Sequence, residues 1–140
     1  MMRLGLDLGT KRIGIATSSS GILSTPYENY NCRTEQADLM HIVQIIKKFN
    51  VKEVIVGLPY NMDGSEGEMA RYVRDYCEKI KQQVDCEIIL RDERLSSLEA
   101  ERALIDMDYS RKKRKNHLDE VSATIILQSY LDEINQEKKI

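Results

Sequence analysis

The sequence predicts an α/β fold: a mixed five-stranded sheet that opens as an antiparallel β-meander, continues through parallel strands, and carries helices on both faces. Three observations lead there. The first thirty residues hold three strand-like segments joined by short Gly- and Ser-containing connections, which suit antiparallel neighbours. From Thr34 onward the apolar period becomes that of a helix. Strand-like and helix-like segments then alternate, and such units call for parallel crossovers.

The elements follow in order. Leu4 to Leu8 is the first strand, Arg12 to Thr17 the second, and a third lies near Ile22 to Tyr30. Leu39, Ile42, Val43, Ile46 and Phe49 recur at helical spacing, with Thr34 placed as N-cap. Val54-Ile55-Val56, closed by Gly57-Leu58-Pro59, is a short buried strand. A polar loop, Tyr60 to Gly67, leads into a second helix with Met69, Tyr72, Val73, Tyr76, Ile80 and Val84 on one face. Glu87 to Leu90 forms a fifth strand. Ser96-Ser97-Leu98-Glu99 has capping-box spacing and predicts a third helix. The cationic run Arg111 to Lys115 precedes a last helix from about Asn116 to Glu133. The expected order is βββαβαβαα, and 140 residues suffice for one domain spanning 1–140.

Composition narrows the function classes. A formal charge of −2 gives no sign of a nucleic-acid binder from the total, so local clustering has to carry that question. No apolar run has the length of a membrane span, and no signal-peptide pattern opens the chain, so the expected location is cytoplasmic. Three cysteines (Cys32, Cys77 and Cys86) without Cys-x-x-Cys spacing, and only two histidines, argue against a disulfide framework and a zinc site. Cys77 and Cys86 are expected to be buried filler.

Asp7 is the residue out of place. Leu4, Leu6 and Leu8 share one face of the first strand, while Gly5, Asp7 and Gly9 share the other. Asp is depleted in strands, and flanking glycines let a ligand or another backbone come close. Its plain alternative is an Asp capping the following turn. Two further groups of acids can meet it. Asp92 or Glu93 lies at the carboxyl end of the fifth strand, where functional groups gather in parallel sheets, although Arg91 and Arg94 could simply pair with them. Asp119 extends the stripe of Ala123, Ile126, Leu127, Tyr130, Leu131 and Ile134 toward the N-terminus of the last helix, and Glu120 flanks it. Acids in a first turn are also favoured by the helix dipole alone. Converging carboxylates repel, by about 4 kcal/mol for two charges ~4 Å apart at an effective dielectric of 20, so the cluster must titrate or hold a cation. Oxygen donors without His or Cys suit Mg²⁺ or Mn²⁺, and two such ions can clamp a phosphodiester.

Asp7-Leu8-Gly9-Thr10-Lys11-Arg12-Ile13-Gly14, Val56-Gly57-Leu58-Pro59 with Asn61-Met62-Asp63-Gly64-Ser65, Asp92-Glu93-Arg94-Leu95, and Asp119-Glu120-Val121-Ser122-Ala123 together resemble the YqgF/RuvX family, in the family's order and over nearly the whole chain. The chain departs from the family pattern at Ser96-Ser97, where paired threonines are common, and at Glu120 and Ser122. The resemblance implies an RNase H-like fold and a Mg²⁺- or Mn²⁺-dependent hydrolase, an endo- or exonuclease with two ions held by Asp7, Glu93 and Asp119 as metal ligands and catalytic residues. Family members are regarded mostly as nucleases that process the 5′ end of precursor 16S rRNA, and they resemble Holliday-junction resolvases in fold. Expected partners are therefore nucleic acid (structured RNA or branched DNA) and ribosomal precursor particles, with no membrane, and a monomer or weak dimer as the oligomeric state.

The remaining motifs fit a polyanionic substrate. Lys11 and Arg12 follow Asp7, and Arg111, Lys112, Lys113, Arg114 and Lys115 precede Asp119, so phosphate contact is the expectation for both groups, with Arg94 beside Glu93 as a third. Asn61 and Gly64 stand in a loop that either presents amides to a phosphate or merely connects strand to helix. One Phe, seven Tyr and no Trp argue against extensive base stacking. Alternatives are a Holliday-junction resolvase acting on four-way DNA and a non-catalytic nucleic-acid-binding module of the same fold. A third is a nucleotide-binding module, since Asp7-Leu8-Gly9-Thr10 also resembles the phosphate loop of the actin and heat-shock ATPases. That enclosure needs a second domain, for which 140 residues are expected to leave no room.

Overall fold

The structure is a computed structural model that describes residues 1–94 and 111–137, with side chains for 1–94 and 121–136. The described elements are β1 (Arg3–Leu8), β2 (Arg12–Ser18), β3 (Thr25–Asn31), α1 (Glu35–Phe49), β4 (Glu53–Leu58), α2 (Glu68–Gln83), β5 (Glu87–Asp92) and α3 (Arg111–Glu137). They form a five-stranded sheet in the order β3-β2-β1-β4-β5. The β1–β2 and β2–β3 pairs are antiparallel, and the β1–β4 and β4–β5 pairs are parallel. The expected mixed sheet is the observed one. No helix among the described residues is long and apolar enough to cross a membrane.

Local chemistry sets the boundaries. Thr34 caps α1 as expected, its hydroxyl accepting from the Ala37 amide at 3.1 Å. Asn50 closes the same helix in the left-handed region at φ 52°, donating to the Ile46 and Lys47 carbonyls. The third strand starts at Thr25 rather than Ile22, because Ser20 accepts from the Ile22 and Leu23 amides and Gly21 turns the chain at φ +77°. The cationic run at Arg111 to Lys115 lies inside α3 rather than ahead of it, since Arg and Lys are good helix formers. The helix expected from Ser96 lies outside the described residues.

The sheet has a core on each face. On one, Leu4, Leu6, Leu8, Ile13, Ile15, Val54, Val56 and Leu58 meet the apolar stripes of α1 and α2. On the other, Ala16 and Ile55 meet Ala123, Ile126, Leu127 and Leu131 of α3. Helix α3 packs very closely: a β-carbon on Gly5 would stand 2.8 Å from Leu127 Cβ and 2.9 Å from the Ala123 carbonyl oxygen. Its direction is set by polar pins. Gln128 accepts from the Ser24 amide and donates to the Ile22 carbonyl, each at 2.8 Å, and Asn135 donates to the Gly21 carbonyl at 2.9 Å. These partners sit in the β2–β3 hairpin, at the opposite end of the sheet from the carboxyl end of β1. The N-terminal turns of α3 therefore lie toward the carboxyl ends of β1, β4 and β5. Arg91 of β5 adds a further pin, donating to Ser129 Oγ at 3.2 Å and pairing with Glu133.

Gly5→Ala is expected to destabilise the protein by about 1–3 kcal/mol, because neither the helix backbone nor the strand can yield cheaply; urea unfolding within about 0.3 kcal/mol of wild type would contradict the close approach. Burial pushes the Cys77 thiol up to about 11. At pH 8 only about one thiol in a thousand is then thiolate, so Cys77 is expected to resist alkylation in the native protein and to react once unfolded. Cys86 is half-buried, and its thiol is also raised by burial.

Candidate active site

The strand periodicity places Asp7 on the α3 face, because Gly5 on that face touches Ala123 and Leu127 while Leu6 and Leu8 lie in the opposite core. Glycines flank it laterally. Asp7 pairs with Gly14 of β2, and Leu6 pairs with Val56 of β4, so the next residues along those parallel strands are Asp7 and Gly57. Neither neighbouring strand therefore puts a side chain beside Asp7. Asp7 is partly exposed.

The structure sends Asp92 and Glu93 to opposite faces of the sheet. Asp92 pairs in register with Leu58, whose side chain belongs to the α1/α2 core, so Asp92 faces away from α3. Its carboxylate is taken by Arg94, with Nε at 3.1 and 3.0 Å from the two oxygens and Nη2 at 2.6 Å from Oδ2. Those charge-assisted hydrogen bonds hold the Asp92 carboxyl below the usual carboxylate range. Glu93 points the other way. A β-carbon on Gly57 would stand 2.6 Å from Glu93 Oε2 and 2.6 Å from Ile126 Cδ1, so the Glu93 carboxylate lies over Gly57 beneath α3. Neighbouring strands are about 4.8 Å apart, which puts this carboxylate roughly one strand spacing from the Asp7 column.

Position 119 comes to the same edge through the helix. It precedes Ile126 by seven residues, nearly two full turns, and so shares its helical face. From Ala123 back to 119 is about 6 Å along α3, and from Gly5 forward to Asp7 is about 6.6 Å along β1. The two steps run in the same direction, so backbone placement brings position 119 level with Asp7. Glu120 lies about 120° from Ile126 around the helix, off that face. The side chains of Asp119 and of Arg111, Lys112, Lys113, Arg114 and Lys115 lie outside the described ones. The backbone of the cationic run forms the first turns of α3, on the site's side of the molecule.

Lys11 is exposed in the turn after β1, and Arg12 opens β2 opposite Asn31 at the same end of the sheet. That turn is tight: the Gly9 amide donates to the Arg12 carbonyl at 3.0 Å, and a β-carbon on Gly9 would stand 2.5 Å from the same oxygen. Asn61 and Gly64 lie in the loop after β4, also at this end. The loop closes on itself, with the Asn61 amide bonded to the Ser65 carbonyl at 2.8 Å, the Gly64 amide to the Asn61 carbonyl at 2.9 Å, and the Ser65 amide to Asp63 Oδ1 at 2.9 Å. Asn61 Nδ2 donates to Ser65 Oγ at 3.0 Å. The amides of Asn61, Gly64 and Ser65 are thus taken up within the loop. Arg94, expected at the substrate, is bound to Asp92 and donates its Nη1 to the Asn61 carbonyl at 3.3 Å.

Asp7 and Glu93 offer only oxygen donors, and the space above Gly57 that receives Glu93 exists because Gly57 has no β-carbon, a donor set that suits a hard divalent cation. Among the described residues, no three Asp, Glu, His or Cys side chains gather as a metal site. Gly57 was the signal with no assigned role: a glycine in a β-branched buried strand marks a close approach.

A family model described as RuvX, Holliday junction resolvase, matches residues 1–133. The chain belongs to the RuvX family. A protein of Halothermothrix orenii is 45% identical over 137 residues, covering 97% of this chain and 98% of the relative. One of Halalkalibacterium halodurans is 44% identical over 135 residues, covering 94% and 96%. Both are named "Putative pre-16S rRNA nuclease". Among solved structures, Thermus thermophilus RuvC in complex with a Holliday junction substrate superposes with a TM-score of 0.62 at 11% identity, covering 96% of each chain. A fowlpox virus resolvase in complex with Holliday junction DNA gives 0.60 at 12% identity, covering 96% of this chain and 99% of that one. At such identities the likeness concerns the fold, which is RNase H-like and agrees with the observed strand order.

Within this RuvX-family frame, Gly57→Ala is expected to displace the Glu93 carboxylate and the Ile126 methyl, with a small shift at Glu93 Cβ, 3.1 Å from the added carbon. Nuclease activity should fall at least about tenfold, with a stability loss of at most about 1–2 kcal/mol. Full activity in that variant, measured beside its urea midpoint, would contradict the placement of Glu93.

Proposed function

We propose that this chain is a Mg²⁺-dependent nuclease that hydrolyses phosphodiester bonds near the 5′ end of precursor 16S rRNA. The observation that carries the reading is the Glu93 carboxylate held over Gly57 on the α3 face, beside the strand position of Asp7. Carboxylates on neighbouring strands repel, by a few kcal/mol at ~4.8 Å and an effective dielectric of 20, and a divalent cation turns that repulsion into attraction. Asp7, Glu93 and Asp119 would hold the metal, with two ions as the proposed number. A divalent ion bound there supplies Lewis-acid stabilisation of phosphate charge and a more acidic water.

The rest of the chain's contribution is to bring and orient a polyanion. Lys11 and Arg12 flank the site on the β1–β2 side, and the cationic run from Arg111 to Lys115 occupies the turns of α3 nearest the same edge. These cations attract phosphates although the whole chain carries −2, and each contact should steepen the salt dependence of binding. Support for RNA as substrate comes from the relatives at 44–45% identity, whose printed names specify pre-16S rRNA. With such a substrate, ribosomal precursor particles would be the partner.

Asp7→Asn should abolish Mg²⁺-dependent cleavage of 5′-extended 16S precursor RNA, a loss of at least about a thousandfold, while the protein stays folded. Cleavage by Asp7→Asn at the wild-type rate would overturn the mechanism. Wild-type protein that cuts four-way DNA junctions and leaves the RNA precursor intact would replace the substrate with branched DNA. Binding without cleavage of either would favour a non-catalytic module.

A further inference from the structure

The acid pair at the end of β5 is divided between two faces of the sheet, and the division suggests a role for the member that faces away. Glu93 has already left the β5 strand, so its orientation is not set by the regular ladder. Three anchors fix it instead. The Glu93 amide donates to the Leu58 carbonyl at 3.2 Å. The Arg94 amide donates to Asp92 Oδ1 at 3.0 Å, closing an Asx turn around Glu93. The Arg94 guanidinium grips both Asp92 oxygens, reaches the Asn61 carbonyl at 3.3 Å, and lies over the Tyr60 ring at 5.5 Å from its centroid.

We propose that Asp92 and Arg94 are positioning residues: their ion pair locks the turn that aims the Glu93 carboxylate over Gly57 and bolts that turn to the β4–α2 loop through Asn61 and Tyr60. This rests on the nuclease reading above, in which Glu93 holds metal. The geometry also gives Arg94 a use other than phosphate contact. Three of its five N–H donors are used within the protein, Nε and Nη2 on Asp92 and Nη1 on the Asn61 carbonyl, and this side-on pair holds the guanidinium against the turn. Asp92, exposed at the rim and turned from α3, acts only through its neighbour.

The test compares wild type with Asp92→Ala, Asp92→Asn and Arg94→Ala in the full chain. Mn²⁺ affinity is measured directly, by the electron paramagnetic resonance of free Mn²⁺. RNA binding is measured separately by anisotropy in metal-free buffer, and folding by urea unfolding. Asp92→Ala and Arg94→Ala are expected to weaken Mn²⁺ binding about ten- to a hundredfold, the range for losing an outer partner of a metal ligand. They should also raise the Mg²⁺ concentration that half-saturates cleavage, while kcat at saturating Mg²⁺ returns to within about threefold of wild type. Asp92→Asn keeps the turn acceptor and should recover part of the lost affinity. Metal-free RNA binding should stay unchanged in all three.

Arg94→Ala that weakens RNA binding and flattens its salt dependence, with Mn²⁺ affinity intact, would make Arg94 a phosphate contact and overturn the clamp. Unchanged Mn²⁺ affinity in Asp92→Ala would overturn it as well. Both outcomes presuppose a wild type that binds Mn²⁺; a wild type that neither binds the ion nor cleaves would overturn the nuclease reading itself, and the clamp with it.

Discussion

At Gly5 the α3 backbone comes so near to β1 that a single methyl group would collide with the Ala123 carbonyl and with Leu127 Cβ. That contact sets the height of the helix above the sheet, and the pins from Gln128, Asn135 and Arg91 set its direction. Height and direction together decide what stands above the carboxyl ends of β1 and β4. Without the close approach, position 119 would be carried away from Asp7, and Ile126 would no longer close the space in which Glu93 lies. A second glycine, Gly57, does for the side chain what Gly5 does for the helix. The site is shaped by two missing β-carbons in neighbouring strands.

The same edge divides its acids between the two faces of the sheet. Strand alternation sends Asp92 to one side and the following turn sends Glu93 to the other, so two adjacent carboxylates serve different ends. Asp92 is neutralised by Arg94 at the rim, where an ion pair forms with little loss of hydration. Glu93 lies on the side where Asp7 already stands. The cationic turns at the start of α3 and the Lys11–Arg12 turn border that acidic centre.

Much of this was legible in the sequence, for identifiable reasons. The meander, the parallel crossovers and the two helical stripes follow from apolar periodicity, and Asp7 stood out because a strand alternation breaks there. Thr34 was readable as a cap because its side chain bonds locally. The choice of Glu93 over Asp92 was not readable from spacing, because it depends on which face each residue takes where β5 ends, and family resemblance supplied it. The pairing of Arg94 with Asp92 was not readable for the same reason, since it depends on how the chain turns where β5 ends. The start of β3 was missed because Ile22 and Leu23 are strand-like in type, while the Ser20 hydroxyl and Gly21 turn them out of the ladder. The Asn61 loop could be read two ways because its amides carry no sequence signal of whether they turn inward or outward.

The proposed cation site joins Asp7, Glu93 and position 119 beneath the first turns of α3. Residue-resolved paramagnetic broadening by Mn²⁺ tests it most directly. At low Mn²⁺ occupancy, the amide signals of Leu8, Gly57, Glu93 and residues around 119 should vanish together, before those of any other segment. Broadening centred on Asp63 and Glu66 in the β4–α2 loop, or reaching Asp7 without Glu93, would contradict the account.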